Sequence, residues 1–186
     1  MTKILGVIGS PRKNGNTHII VNKILDGAKS EGAEADSIFL SDYKIKECDG
    51  CHACWKGLEC SKCDDMNKFY KKIIDSDAIV FGTPVYWYGP TALMKGFIDR
   101  FVYFNCPENR EKIRGKSAVV AIPFEEEDEK ASLATVEIFE KSIGYLEMNL
   151  TDVLLAPGVG QKGAILEKKI ILERAFNTGK LLVRPL

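Results

Sequence analysis

Lys3 to Thr17 reads KILGVIGSPRKNGNT: an apolar run, a loop rich in Gly, Ser and Asn, and the start of a helical pattern. The run Lys3–Gly9 has no alternation of polar and apolar residues, which predicts a strand buried on both faces. From Thr17 to about Glu31, Ile20, Val21, Ile24, Leu25 and Ala28 recur at helical spacing, and Gly32 supplies the stop. Strand, polar loop and helix in that order form the first unit of the chain.

The unit recurs. Ala33–Leu40 reads as a second strand, and Asp64 and Asp65 are placed to cap a helix carrying Met66, Phe69, Ile73 and Ile74. Asp77–Gly82 is a third strand, followed by the loop TPVYWYGP and an amphipathic helix over 91–104. Lys116–Ile122 is a fourth strand, and the acidic stretch Glu125–Glu129 faces water. A helix over 130–146 presents Leu133, Val136, Ile138, Phe139, Ile143 and Leu146, Leu150–Ala156 is a fifth strand, and Ile165–Leu182 is a last helix. Continuous apolar strands alternating with helices predict an α/β three-layer sandwich, because right-handed crossovers deposit helices on both faces of a parallel sheet. The expected order is 2-1-3-4-5. At 186 residues with 45% hydrophobic content, one domain over 1–186 is expected. A ligand then belongs at the carboxyl ends of the strands, where Ser10 to Thr17, Thr83 to Pro90 and Pro123 to about Glu126 converge.

Lys plus Arg and Asp plus Glu both number 26, which leaves no electrostatic footprint for nucleic acid or anionic lipid. No stretch approaches the ~20 apolar residues that span a bilayer, and MTKILGVIGS has no charged leader or cleavage site. A cytoplasmic protein is expected, in a compartment that keeps thiols reduced.

Those thiols are concentrated. Five of the six cysteines lie in Cys48–Cys63, CDGCHACWKGLECSKC, within an irregular loop at about 44–64. Cys48, Cys51 and Cys54 are two residues apart and Cys60 follows after five more, so one loop can turn four thiolates toward a single iron–sulfur centre. Two other readings stay open. Cys51, Cys54, Cys60 and Cys63 form two Cys-x2-Cys pairs suited to zinc, with an unusually short spacer and Cys48 left over. Free or redox-active thiols are the third. His52, inside the loop, suits contact with ligating groups or with water, and His18 suits a helix start. Cys106 is most simply a structural thiol.

GSPRKNGNT lies between a strand and a helix, where backbone N–H groups can hold an anion. Ser10, Asn14, Asn16 and Thr17 add neutral donors and Arg12 a charge. Neither a dinucleotide fingerprint nor a triphosphate loop is present, so a monophosphate ester such as FMN fits better than either. In TPVYWYGP, the backbone of Pro84, Val85 and Gly89 and the rings of Tyr86, Trp87 and Tyr88 can contact an isoalloxazine, and Pro123 opens the third loop. The competing readings are an ordinary turn and ordinary packing.

At GSPRKNGNT, GTPVYWYG and the cysteine run followed by DDM, nearly the whole chain resembles the flavodoxin-like NADPH-dependent FMN reductase family, specifically its iron–sulfur flavoprotein branch. Cys48, Cys51, Cys54 and Cys60 match the branch pattern Cys-x2-Cys-x2-Cys-x5-Cys. Two features depart from it: Cys63 is additional, and PFEEEDE stands where the family carries a glycine-rich flavin loop. The resemblance implies a flavodoxin-like fold, FMN and a 4Fe-4S cluster as cofactors, and a homodimer or homotetramer. A flavin that handles electron pairs beside a cluster that passes one at a time leads to the expectation of electron transfer, with no catalytic acid, base or nucleophile required. A ferredoxin or NAD(P)H would be the donor and a small molecule or protein the acceptor. The rival functions are an NAD(P)H-dependent FMN or quinone reductase without a cluster, and a zinc-stabilised flavin-binding module.

Overall fold

The structure, a computed structural model, describes residues 1–183. Its strands are β1 (Lys3–Ile8), β2 (Glu34–Phe39), β3 (Ala78–Gly82), the short β4 (Val85–Tyr86) and β5 (Gly89–Pro90), β6 (Ser117–Pro123) and β7 (Asn149–Ala156). Five of them form one parallel sheet in the order β2-β1-β3-β6-β7, the expected 2-1-3-4-5 arrangement counted over the long strands. The central strands are apolar because both faces are covered: Ile4, Leu5, Val7 and Ile8 of β1 and Ile79, Val80 and Phe81 of β3 are all buried. The edge strands expose Glu34 and Asn149.

The helices are α1 (Asn16–Ser30), α2 (Met66–Asp75), α3 (Ala92–Asp99), α4 (Pro107–Arg110), α5 (Leu133–Tyr145) and α6 (Lys169–Leu181). Ile20, Val21, Ile24 and Ala28 of α1 and Ala175 of α6 pack on one sheet face. Met66, Phe69, Ile73, Met94, Phe97, Phe139 and Ile143 of α2, α3 and α5 pack on the other. Three expected helices are divided. The stretch 91–104 is α-helical only to Asp99 and tightens to 3-10 over Arg100–Asn105. Residues three apart align in that geometry, so Phe101 and Phe104 both turn into the core with ring centroids 5.3 Å apart. Short 3-10 turns, Glu129–Ser132 and Ala164–Glu167, precede α5 and α6, and Leu133, in the first turn of α5, is exposed.

The capping expectation at α2 needs correction. Asp64 accepts from the Met66 amide at 3.1 Å, whereas Asp65, at the cap position, makes no side-chain bond to the helix end. Its carboxylate accepts instead from the Lys44 amide at 2.9 Å, which fastens the start of the cysteine loop to the helix. The loop's need for anchors competes with the cap and wins.

Helices α1 and α6 cross closely through two glycines. A Cβ on Gly179 would overlap the Ile24 carbonyl, and one on Gly27 would overlap the Phe176 carbonyl. Backbone cannot yield as a side chain tip can, so Gly179→Ala should lower the free energy of unfolding by ~1–3 kcal/mol in a denaturant titration. Gly144→Ala in α5, where a Cβ would meet nothing, should leave stability equal or raise it by up to ~1 kcal/mol.

Candidate functional site

At the carboxyl edge of the sheet the strand ends are tied together. The Gly9 amide donates to the Gly82 carbonyl at 2.7 Å and the Thr83 amide to the Ala121 carbonyl at 3.0 Å. Thr91, buried, caps α3 by accepting from the Met94 amide at 3.1 Å and donates its own hydroxyl hydrogen to the Gly9 carbonyl. The loops beyond these anchors wall one cleft. Its first side is Ser10, Arg12, Asn16 and Thr17, and its second is Pro84, Val85 and Tyr86. Pro123, Phe124 and Glu125 form the third side. A fourth loop, not foreseen, adds Val159, Gly160 and Lys162. The signal for it was PGVGQKG directly after the fifth strand. Gly158 and Gly160 leave the room that the side chains of Glu127 and Glu125 occupy, so the acidic loop rests on a glycine-rich one.

Within the cleft, Ser10 and Thr17 are buried at the loop's start and the first turn of α1. Arg12 reaches the Gly160 carbonyl at 3.4 Å from an exposed position. Asn16 is occupied: its amide donates to the carbonyls of Val159 at 2.6 Å and Gln161 at 2.8 Å, and its oxygen accepts from the Ile165 amide. It therefore builds the cleft wall.

Four residues expected at the cofactor lie outside the cleft lining: Asn14, Trp87, Tyr88 and Gly89. Asn14 is left-handed (φ 56°), with its amide donating to His18 Nδ1 at 3.0 Å. Trp87 (φ 51°) and Tyr88 (φ 63°) are the two central residues of the β4–β5 turn. Two positive φ angles mark a type I′ hairpin, which ordinarily takes Asn-Gly. Here it thrusts Trp87 out, 97% exposed.

The cysteine loop forms a second cavity beyond the 3-10 end of α3. Cys48, Cys51, Cys54 and Cys60 all line it, together with Tyr70, Arg100 and Val102. The loop turns through left-handed Gly50 (φ 68°), His52 (φ 55°) and Gly57 (φ 73°). Trp55 Nε1 donates to the Val102 carbonyl at 2.9 Å, and His52 packs on the Trp55 ring. All six cysteines are free thiols; Cys63 is exposed outside this cavity, and Cys106 is buried. Burial, and after it the neighbouring Cys60, Cys106 and Cys48, push the Cys54 thiol up. Among the described residues no three His, Cys, Asp or Glu side chains gather at the spacing of a single ion.

The residue most consequential here was not anticipated. Arg100, 1% exposed, pairs with Asp64 at 2.6 Å, and Asp64 also accepts from the Lys46 amide at 2.8 Å. Burial opposes the charge on Asp64, but Arg100 and the Lys46 amide outweigh it and hold the carboxyl below its ordinary range.

Two tests follow from this geometry. Asn16→Ala should speed amide exchange over residues 159–165 by about tenfold, since each lost hydrogen bond is worth ~0.5–1.5 kcal/mol. Asp64 has a lower pKa folded than unfolded, so its pairing stabilises fully above the unfolded value near ~4 and is lost as pH falls through the folded one. Between about pH 5 and 2 the wild type should therefore lose more unfolding free energy than Asp64→Asn, whose side chain does not titrate.

A family model described as NADPH-dependent FMN reductase matches residues 2–149. The iron–sulfur flavoprotein of Archaeoglobus fulgidus is 47% identical over 98 residues, 53% of this chain and 48% of that one. Iron–sulfur flavoprotein MJ1083 of Methanocaldococcus jannaschii is 38% identical over 98 residues, 53% of this chain and 51% of its own. The chain thus spans about half the length of the curated relatives it matches. Among solved structures, an azoreductase of Bacillus anthracis superposes with a TM-score of 0.75 over 97% of this chain and 100% of that one. At 17% identity that likeness is one of fold, flavodoxin-like and parallel. Given the match over residues 2–149, the chain belongs to the NADPH-dependent FMN reductase family, and the curated relatives it matches over about half their length are named iron–sulfur flavoproteins.

Proposed function

We propose that the protein is an oxidoreductase that carries electrons between FMN in the sheet-edge cleft and a 4Fe-4S cluster on Cys48, Cys51, Cys54 and Cys60. The observation that carries this is the convergence of those four thiols on one cavity while the fifth in the loop, Cys63, stays outside. A soft, all-thiolate donor set suits iron–sulfur chemistry, and a cube of four irons takes its ligands from farther apart than a single ion does. When bound, FMN takes up electrons in pairs and the cluster passes them singly, so the two together link two-electron and one-electron partners.

The chain's own task is to hold and insulate these groups. Ser10, Thr17 and the first amides of α1 would donate to the FMN phosphate, with Arg12 and Lys162 supplying charge. Pro84, Val85, Tyr86 and Pro123, which line the cleft, would hold the ring, while Trp87, Tyr88 and Gly89 stay outside the lining at the hairpin tip. Asn14 acts on the phosphate only indirectly, by shaping the loop. NAD(P)H or a ferredoxin is the donor, and a small molecule or protein the acceptor. The protein works as a single-domain chain, a homodimer or homotetramer, in the cytoplasm. Among the described residues no helix is long and apolar enough to cross a membrane.

Cys54→Ala should lose iron and one-electron transfer while keeping FMN, and Cys63→Ala should keep both cofactors. Full iron content in Cys54→Ala would contradict the ligand assignment. Arg12→Ala with Thr17→Ala should weaken FMN binding by about ten- to a hundredfold, the loss of one or two charge-assisted hydrogen bonds. Unchanged flavin affinity would contradict the phosphate site.

A further inference from the structure

Arg100 sits in a mostly apolar stretch, FIDRFVYF, yet its side chain is the largest fully buried one among the described residues. Its hydrogen bonds explain where the charge goes. Nη1 donates to the Lys46 carbonyl at 2.9 Å and to Asp64 Oδ2 at 2.6 Å. Nη2 donates to Asp64 Oδ1 at 3.2 Å and to Cys60 Sγ at 3.1 Å. The guanidinium fork thus grips both ends of the cysteine loop, Lys46 before it and Asp64 after it, and still directs one N–H at a thiol. A tie between loop ends would need only the first three contacts. The fourth is left over from fastening.

Cys60 is also the thiol that most needs an anchor. Cys48, Cys51 and Cys54 share one tight run, whereas Cys60 stands six positions beyond Cys54, past left-handed Gly57. Among the described residues it alone of the four accepts from a cationic side chain; the sulfur of Cys51 meets the Ser61 hydroxyl at 3.2 Å.

We propose that Arg100 is a positioning residue for Cys60, orienting its sulfur into the cavity and giving a cluster bound there one cation-borne hydrogen bond that raises its reduction potential. This rests on the reading that Cys48, Cys51, Cys54 and Cys60 hold a cluster. Reduction there adds one electron, forms and breaks no bond and moves no proton. The added negative charge spreads onto the ligand sulfurs, where an N–H of a guanidinium stabilises it.

The test uses protein purified without oxygen. In wild type carrying guanidino-15N arginine, pulsed EPR of the reduced centre should show a 15N coupling, because among the described residues Arg100 alone of the arginines lines the cavity. Arg100→Lys keeps a charge for Asp64 but loses the fork. At a fixed potential it should shift the one-electron equilibrium about tenfold toward the oxidised centre, equal to about 59 mV. Iron-bearing wild type with no 15N coupling, or an Arg100→Lys centre with unchanged potential, would overturn the Arg100 assignment and leave the cluster intact. If the substitution abolishes folding, the wild-type 15N result alone decides. Wild type without iron would overturn the cluster assignment beneath it.

Discussion

A long irregular loop must be fastened if its side chains are to hold fixed positions, and here one buried ion pair ties its two ends together. Arg100 and Asp64 are 1% and 3% exposed in their side chains and 2.6 Å apart. Such a pair gains little over an apolar substitute, but breaking it by removing one partner costs ~3–5 kcal/mol, since a charge is left buried and unpaired. Its contribution is therefore geometric. It fixes the 3-10 end of α3 against both ends of the cysteine loop, and through the Trp55 bond to Val102 the loop's middle is docked on the same segment.

The cleft at the sheet edge depends on a different constraint. Parallel strands release their loops at one edge, so four connections that are distant in sequence wall the same space. Gly9, Gly82 and Thr91 make that edge compact, and Asn16 spends its amide on binding the fourth loop to the first. The two cavities share no lining residue. Separate housings suit separate demands: polar donors around the one, sulfur and aromatic side chains around the other.

Strand order, helix positions and the cysteine spacing were legible because each follows from a local pattern: unbroken apolar runs, helical periodicity, fixed intervals between thiols. Three loops of the cleft were legible from strand order alone. What was not legible is what depends on distant partners. Arg100 reads as a polar residue on an amphipathic helix, and nothing local shows that Asp64, 36 positions away, will bury it. Asn16 has the residue type of a phosphate donor, and only the fold reveals the two carbonyls it serves. Trp87 and Tyr88 suggest a flat wall for a ring, but the positive φ of both turns them to the hairpin tip. The Gly-rich stretch after β7 is a local signal of the fourth loop, but only the fold shows that it reaches the same cleft.

The proposed electron carrier requires a flavin and a cluster on one chain. Iron, acid-labile sulfide, zinc and flavin per chain, measured on protein purified without oxygen, test it most directly. About four irons and four sulfides beside one FMN are predicted, as a cubane on four thiolates requires. One flavin with neither iron nor sulfide, or stoichiometric zinc in their place, would contradict it.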